Sequence, residues 1–307
     1  VCMMAGTASL PHVMMRYFTT PSVKSARRSV GWSLFFIFLL YSSAPMLATL
    51  SKLSLMDPNL ATGIIGKSIA DVQALDWYQN WNQANLMFVS DFNGNGTLEL
   101  NEFFMGGKAV VLATPEIAGL PYVISGLVAA GGMAAAMSTA DGLVLAIANA
   151  LSHDLYYKII DPKAETAKRL IVARVLLVII GFAGATIAAL EIQGILGSVI
   201  WAFDFAMSGL FFPLVLGVWW KRANAQGAVA GMLLGLISGT AYLIWVRNGG
   251  AGFWGVTQLT FGIVGSLVSL VSMVVVSLIT KAPDAATQRM VDEVRIPSGK
   301  TVLGKQH

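Results

Sequence analysis

Apolar residues in this chain gather into six long runs, at 30–50, 120–151, 171–190, 194–219, 226–246 and 256–280. Each is long enough to cross a bilayer as a helix, which takes ~20 residues. Polar connectors separate them, and the long polar stretch is 51–119. The opening VCMMAGTASL is apolar and lacks the basic n-region of a signal peptide. It reads as chain entered partway through an apolar helix, so a fragment of a longer protein is expected.

The connectors carry an orientation signal. With six spans they alternate between two sides. One side holds Arg16, Lys24, Arg27, Arg28, Lys158, Lys163, Lys168, Arg169, Arg174, Lys221, Arg222, Lys281, Arg289, Arg295, Lys300 and Lys305. The other holds Lys52, Lys67, Lys108 and Arg247. Sixteen of the 20 basic residues therefore share a side, and the positive-inside bias makes that side cytoplasmic. The expected organisation follows. Residues 1–29 are the end of a transmembrane helix and a cytoplasmic connector, and 30–50 is a span. An extracytoplasmic loop covers 51–119, five spans fill 120–280, and 281–307 is a cytoplasmic tail.

Two spans show how they pack. Gly227, Gly231, Gly235 and Gly239 recur every fourth residue and share one helix face, against which another backbone can come close. Pro213 interrupts the run 194–219 and frees a carbonyl one turn back, which produces a kink and leaves that carbonyl free to line an ion path.

Composition agrees. Only 12% of the 307 residues are charged and 56% are hydrophobic, where soluble domains carry roughly 25% charged residues. Mean hydropathy is +0.69. A chain with so little polar surface must face lipid. The pI near 9.2 does not imply nucleic acid, because the basic residues are scattered over short connectors. The single cysteine, Cys2, excludes an internal disulfide. No Ser–His–Asp arrangement, Cys/His metal cluster, Walker loop or dinucleotide fingerprint supports an enzyme.

The clearest local motif is DFNGNGTLELNE, residues 91–102. It matches the EF-hand calcium loop D-x-[DN]-x-[DN]-G-x5-E at every fixed position. Asp91, Asn93 and Asn95 would supply the first three ligands. The Thr97 carbonyl serves position seven, Glu99 position nine, and Glu102 closes the site as a bidentate ligand. Gly96 permits the sharp turn, and Leu98 would pack inward. Segments 74–90 and 100–112 are the expected entering and exiting helices. Three carboxylates predict weak Ca2+ affinity, about 10⁻⁴–10⁻³ M, as in extracellular modules. The alternative is an Asn/Gly-rich surface turn.

Polar groups inside the spans are the other candidates. The run 120–151 is rich in Gly and Ala at its centre and contains Ser138, Thr139 and Asp141. Two hydroxyls with the carbonyl of Ala135, one turn earlier, can form half of a sodium site. Equally, they can bond to carbonyls of their own helix and serve packing. A carboxylate at mid-bilayer costs at least ~2.5–3.5 kcal/mol, which makes Asp141 and Asp204 candidates for an ion or substrate pathway or for a structural polar pair. His153 and Asp154 can shuttle protons or simply close a helix end.

These residues resemble the sodium:solute symporter family, and within it the cation/acetate symporter branch. GTASLPHVMMRYFTTPSVKSARRSV is similar to the cytoplasmic turn after that branch's sixth core helix. AAAMSTADGLVLAIANALSHDLYYK is similar to its eighth core helix, and FFPLVLGVWWKRANAQGAVAGMLLG to its tenth helix and basic turn. The resemblance implies an all-α LeuT-type inverted-repeat transporter, of which this chain is the C-terminal half. It assigns sodium ligands to Ser138, Thr139 and the Ala135 carbonyl, with Na+ as coupling ion. The remaining ligands would come from the missing N-terminal half. The implied activity is sodium-coupled import of a small organic anion, acetate or another short monocarboxylate, across a bacterial inner membrane. The calcium loop and Asp204 depart from the branch's pattern. The alternative reading is a calcium-regulated sensor or channel built on a symporter-like bundle.

Overall fold

In the computed structural model the described residues are 1–15, 20–190, 192 and 194–293. Arg16, Arg295, Lys300 and Lys305 lie outside them. In chain order, α1 (Cys2–Ser9) and α2 (Pro11–Met14) precede the long α3 (Val23–Met56). Then come α4 (Ile69–Gln73), α5 (Asp76–Gln83), β1 (Met87–Val89), β2 (Phe103–Met105) and α6 (Val110–Ile117). α7 (Tyr122–Asn149) runs on as a π-helical segment, Ala150–Ile160, before α8 (Thr166–Ala189). α9 (Ile195–Ala206) passes through a π turn, Met207–Phe211, into α10 (Phe212–Trp219). α11 (Ala225–Arg247), α12 (Gly262–Ile279) and α13 (Ala285–Glu293) complete the chain.

Six of these helices are long and apolar enough to cross a membrane: α3, α7 with its π extension, α8, α9 with α10, α11 and α12. All six expected runs are therefore helical. α3, with 34 residues, is about 51 Å long, well beyond the ~30 Å hydrocarbon layer. The apolar windows of α3, α7 and α8 contain no buried residue, while those of α9–α10, α11 and α12 do. Helices that are apolar all round and bare cannot face water, so lipid or further helices must cover them.

The contacts divide the chain into two units, Arg28–Asp141 and Val1–Arg27 with Gly142 onward. In the first, Leu55, Ile64, Val72, Tyr78, Met87 and Leu98 form a core with Ala109, Ala113 and Ile117. The Tyr78 hydroxyl accepts from the Val89 N–H at 3.1 Å, and Asn82 Nδ2 donates to the Met87 carbonyl at 2.8 Å. These bonds tie α5 to β1. β1 and β2 pair antiparallel with Phe88 opposite Phe104, whose rings stack at 4.8 Å.

That hairpin corrects the expected EF-hand frame. The flanks 74–90 and 100–112 are not an entering and an exiting helix. α5 ends at Gln83, where Asn85 takes φ 55°, and β1 and β2 follow. Residues 87–89 and 103–105 alternate inward and outward along a pleat, and such aromatic and β-branched residues fit a half-buried ribbon.

In the second unit the glycine stripe does what its spacing requires. Gly227, Gly231, Gly235 and Gly239 are all buried. A Cβ on Gly235 would come within 3 Å of the Ser208 carbonyl and of the Ser269 side chain, and one on Gly227 would strike Ser277. The matching face of α12 is a serine row, Ser266, Ser269 and Ser277, all buried. Asn224 caps α11 by accepting from Gly227 N–H at 2.8 Å and donates to Thr280 Oγ1 at 2.7 Å. Arg222 donates to the Leu278 and Thr280 carbonyls. The KRAN turn thus closes the α11–α12 pair at one end.

Candidate functional site

The sodium-site candidates lie on one turn of α7. Ser138 Oγ donates to the Ala135 carbonyl at 3.0 Å. Thr139 stands one residue on, about 100° further round the helix. Ala135, Ser138, Thr139 and Asp141 are all exposed. The small residues beside them are equally open: a Cβ on Gly131 would meet nothing within 4 Å. This differs from the α11 stripe, where every glycine is spent on a contact. The structure brings three oxygens to one helix turn and leaves their face uncovered. Asp141 makes no ion pair among the described residues.

Asp204 is placed differently. It is wholly buried, and neither carboxylate oxygen makes a hydrogen bond among the described residues. A Cβ on Gly262 would sit 2.9 Å from Oδ1, so the carboxylate rests against the first residue of α12. The N–H groups of Ile263 and Val264 donate to the Thr260 and Phe261 carbonyls, and the helix dipole favours negative charge at this end. Ser208 Oγ, one turn on, donates to the Asp204 carbonyl at 2.7 Å. The π turn Met207–Phe211 begins three residues after Asp204 and ends two before Pro213. The carbonyl that Pro213 leaves without its partner therefore lies within that turn.

At the calcium candidate, Gly94 and Gly96 take φ +73° and +70° and fold the hairpin tip. Asp91 accepts from the N–H groups of Gly94 at 2.7 Å and Gly96 at 3.0 Å. Asn93 and Asn95 accept from Asn95 and Thr97 N–H, and both side-chain amides donate to Glu99 Oε1. Glu102 is fully buried; Phe92 N–H reaches its Oε1 at 2.9 Å and Glu99 N–H its Oε2 at 3.0 Å. Leu98 is also buried, and its N–H donates to the Lys67 carbonyl at 2.8 Å. Among the described residues no group of three His, Cys, Asp or Glu side chains converges as a metal cluster.

His153 and Asp154 form a surface pair at 3.0 Å, joined by Lys158 at 3.1 Å, on the π segment after α7. That is a helix-end contact. The serine row on α12 escaped the sequence reading. Its signal, Ser at 266, 269 and 277 within GIVGSLVSLVSMVVVSLI, was present but masked by the surrounding Val and Leu.

Six membrane-spanning helices, a glycine–serine packed pair and polar groups set inside apolar spans define a multi-pass membrane protein. Residues 108–235 match the sequence model of the sodium:solute symporter family. The chain is 41% identical over 304 residues to an uncharacterized symporter of Cupriavidus necator, covering 96% of this chain and 44% of that protein. It is 27% identical over 235 residues to a monocarboxylic acid transporter of Corynebacterium glutamicum, covering 76% of this chain and 35% of that one. These matches place residues 108–235 with the sodium:solute symporter family, a family of membrane transporters and not normally of enzymes. The chain spans less than half the length of these two relatives. Both are bacterial, and a multi-pass protein of a bacterial inner membrane fits them.

Proposed function

We propose that this chain is the C-terminal half of a transporter that couples the inward sodium gradient to import of a short monocarboxylate such as acetate. One observation carries the reading. Within the stretch that matches the family, one turn of α7 carries the Ser138 hydroxyl on the Ala135 carbonyl and Thr139 beside it, all exposed among small residues. Sodium is a hard cation that takes oxygen ligands, and Ser138, Thr139 and the Ala135 carbonyl supply three without added charge. A helix from the N-terminal half would bring the rest. The relative named as a monocarboxylic acid transporter supports the substrate class. Asp141 and Asp204 lie on the ion or substrate pathway in this reading.

The test uses the full-length protein in proteoliposomes. Ser138→Ala and Thr139→Ala each remove one ligand oxygen with little change in volume. The sodium concentration for half-maximal acetate uptake should rise tenfold or more, which is ~1.4 kcal/mol of lost binding. By linkage, sodium should also enhance acetate affinity less. Unchanged sodium dependence in both variants would leave the hydroxyls as packing groups. Solute flux with a fixed sodium stoichiometry separates this reading from a calcium-regulated sensor or channel.

The loop 91–102 is proposed as a weak, extracytoplasmic calcium site that orders the hairpin and regulates transport. Glu102 supports this: a wholly buried carboxylate in no ion pair among the described residues is a charge that a cation would offset.

A further inference from the structure

We propose that the Arg28–Asp141 unit carries a second, outer binding site for an aliphatic monocarboxylate, with Lys52 as its anion-pairing group. The last turns of α3, the hairpin and α6 enclose a cavity of about 400 Å³. Its walls include Leu55, Ile65, Phe103, Met105 and Val110. No Asp or Glu lines it, and Lys52 is its one charged lining residue. Leu55 belongs to the buried core of the unit, and Ile65, Phe103 and Met105 pack against that core. The walls are therefore held by packing, independently of any ligand. The volume lies at the low end of small-molecule sites, which run ~300–1,000 Å³.

The chemistry of the lining selects the occupant. A cavity whose lining side chains are apolar except for one ammonium group repels cations and offers a neutral solute no other polar side chain. An anionic head on a hydrocarbon tail satisfies both features: the carboxylate pairs with Lys52 and the tail lies against Leu55, Ile65 and Phe103. Lys52 makes no ion pair among the described residues. It is also one of the four basic residues on the side that the charge bias makes extracytoplasmic, just past the apolar run 30–50. A site there meets ligand from the outer solution before the membrane-embedded sites do. An outer-leaflet lipid shares this chemistry, since a lysine at a helix end can snorkel to a phosphate. The soluble carboxylate is the occupant proposed here. Its identity as a transported species rests on the monocarboxylate reading above, but the pocket itself does not.

The experiment measures binding of acetate, butanoate and hexanoate, without sodium, to the full-length protein in nanodiscs by saturation-transfer NMR. Ser138→Ala/Thr139→Ala provides the background, so that inner-site coupling is removed. Affinity should rise about fourfold per methylene, from ~0.8 kcal/mol per buried CH2. It should fall at least tenfold in Lys52→Met and recover in Lys52→Arg. Val110→Trp, which fills the cavity, should also weaken hexanoate binding. Equal binding by wild type and Lys52→Met overturns the site. Hexanoate binding seen in phosphatidylcholine discs but abolished by phosphatidylglycerol overturns the soluble ligand in favour of a lipid. Absence of sodium-coupled uptake by the protein with Ser138 and Thr139 intact, with Lys52-dependent binding retained, would sink the transport reading and leave this site standing.

Discussion

Glu102 has two demands on it. Its two carboxylate oxygens each accept a backbone N–H, and those bonds shape the hairpin tip. The same oxygens would be the bidentate calcium ligand. Glu102→Gln replaces one acceptor by a donor that faces another donor, so it should destabilise the loop without calcium by ~1–3 kcal/mol. Glu99→Gln touches an exposed side chain and should leave calcium-free stability near wild type while weakening calcium binding through the lost charge. Thermal unfolding of the full-length protein with and without 5 mM calcium, roughly above the expected affinity range, separates the two effects. Wild type should gain stability, Glu99→Gln less, and Glu102→Gln none. Equal stabilisation of Glu102→Gln and wild type would refute the calcium site. The loop motif is local, so the sequence could place the turn at Gly96 and the inward-packing Leu98. It could not show that Asp204 lies against Gly262, because those residues are 58 positions apart in the chain and only packing joins them.

At the scale of elements, spacing carried the information where the period was regular. Four glycines at four-residue intervals announced a helix face, and α11 packs on that face. The hairpin was missed because the calcium loop motif implies helices on both sides, whereas 87–89 and 103–105 follow a two-residue period over only three residues each. The π segment Ala150–Ile160 was missed because a change of helical period leaves no mark in an apolar run. Pro213 gave a partial signal for the other π turn. The glycine faces also make a contrast that can be measured. A Cβ at Gly235 meets backbone and side chain of two neighbouring elements, whereas one at Gly181 in α8 meets nothing within 4 Å. Gly235→Ala should cost about 1–3 kcal/mol by overpacking. Gly181→Ala should be neutral or gain up to ~1 kcal/mol from helix propensity. Scanning fluorimetry in detergent reads both. Equal midpoints for the two variants would mean that the α11 stripe is not a tight contact.

For the whole molecule, the distribution of Lys and Arg along the sequence predicts a single orientation of the six spans. Trp219 and Trp220 close one end of α10, beside Lys221 and Arg222. Towards the other end, Trp201 of α9 holds the Arg247 guanidinium at 5.4 Å from its ring and donates to the Gln258 carbonyl. Tryptophans near both ends of the spans fit the two interfaces of a bilayer, where their amphipathic rings settle. α11 has 23 residues and α12 has 18. At 1.5 Å per residue these are about 35 and 27 Å long, close to the ~30 Å hydrocarbon layer. The charge bias predicts that the Lys221 side is cytoplasmic and that the hairpin tip around Asp91 is outside. Phe92 and Lys221 are both exposed and the native Cys2 is buried, so single cysteines are placed at the first two sites, with the parent protein labelled as control. In intact cells Phe92→Cys should react with an impermeant maleimide, and Lys221→Cys should react only after the membrane is permeabilised. Lys221 also pairs with Asp292 at 2.8 Å. Its substitution removes a surface ion pair, worth ~0–1 kcal/mol, and leaves the fold intact. If both cysteines label in intact cells, or neither does, the parity of the spans is wrong, and with it the placement of the calcium loop and of Lys52 on the outer face.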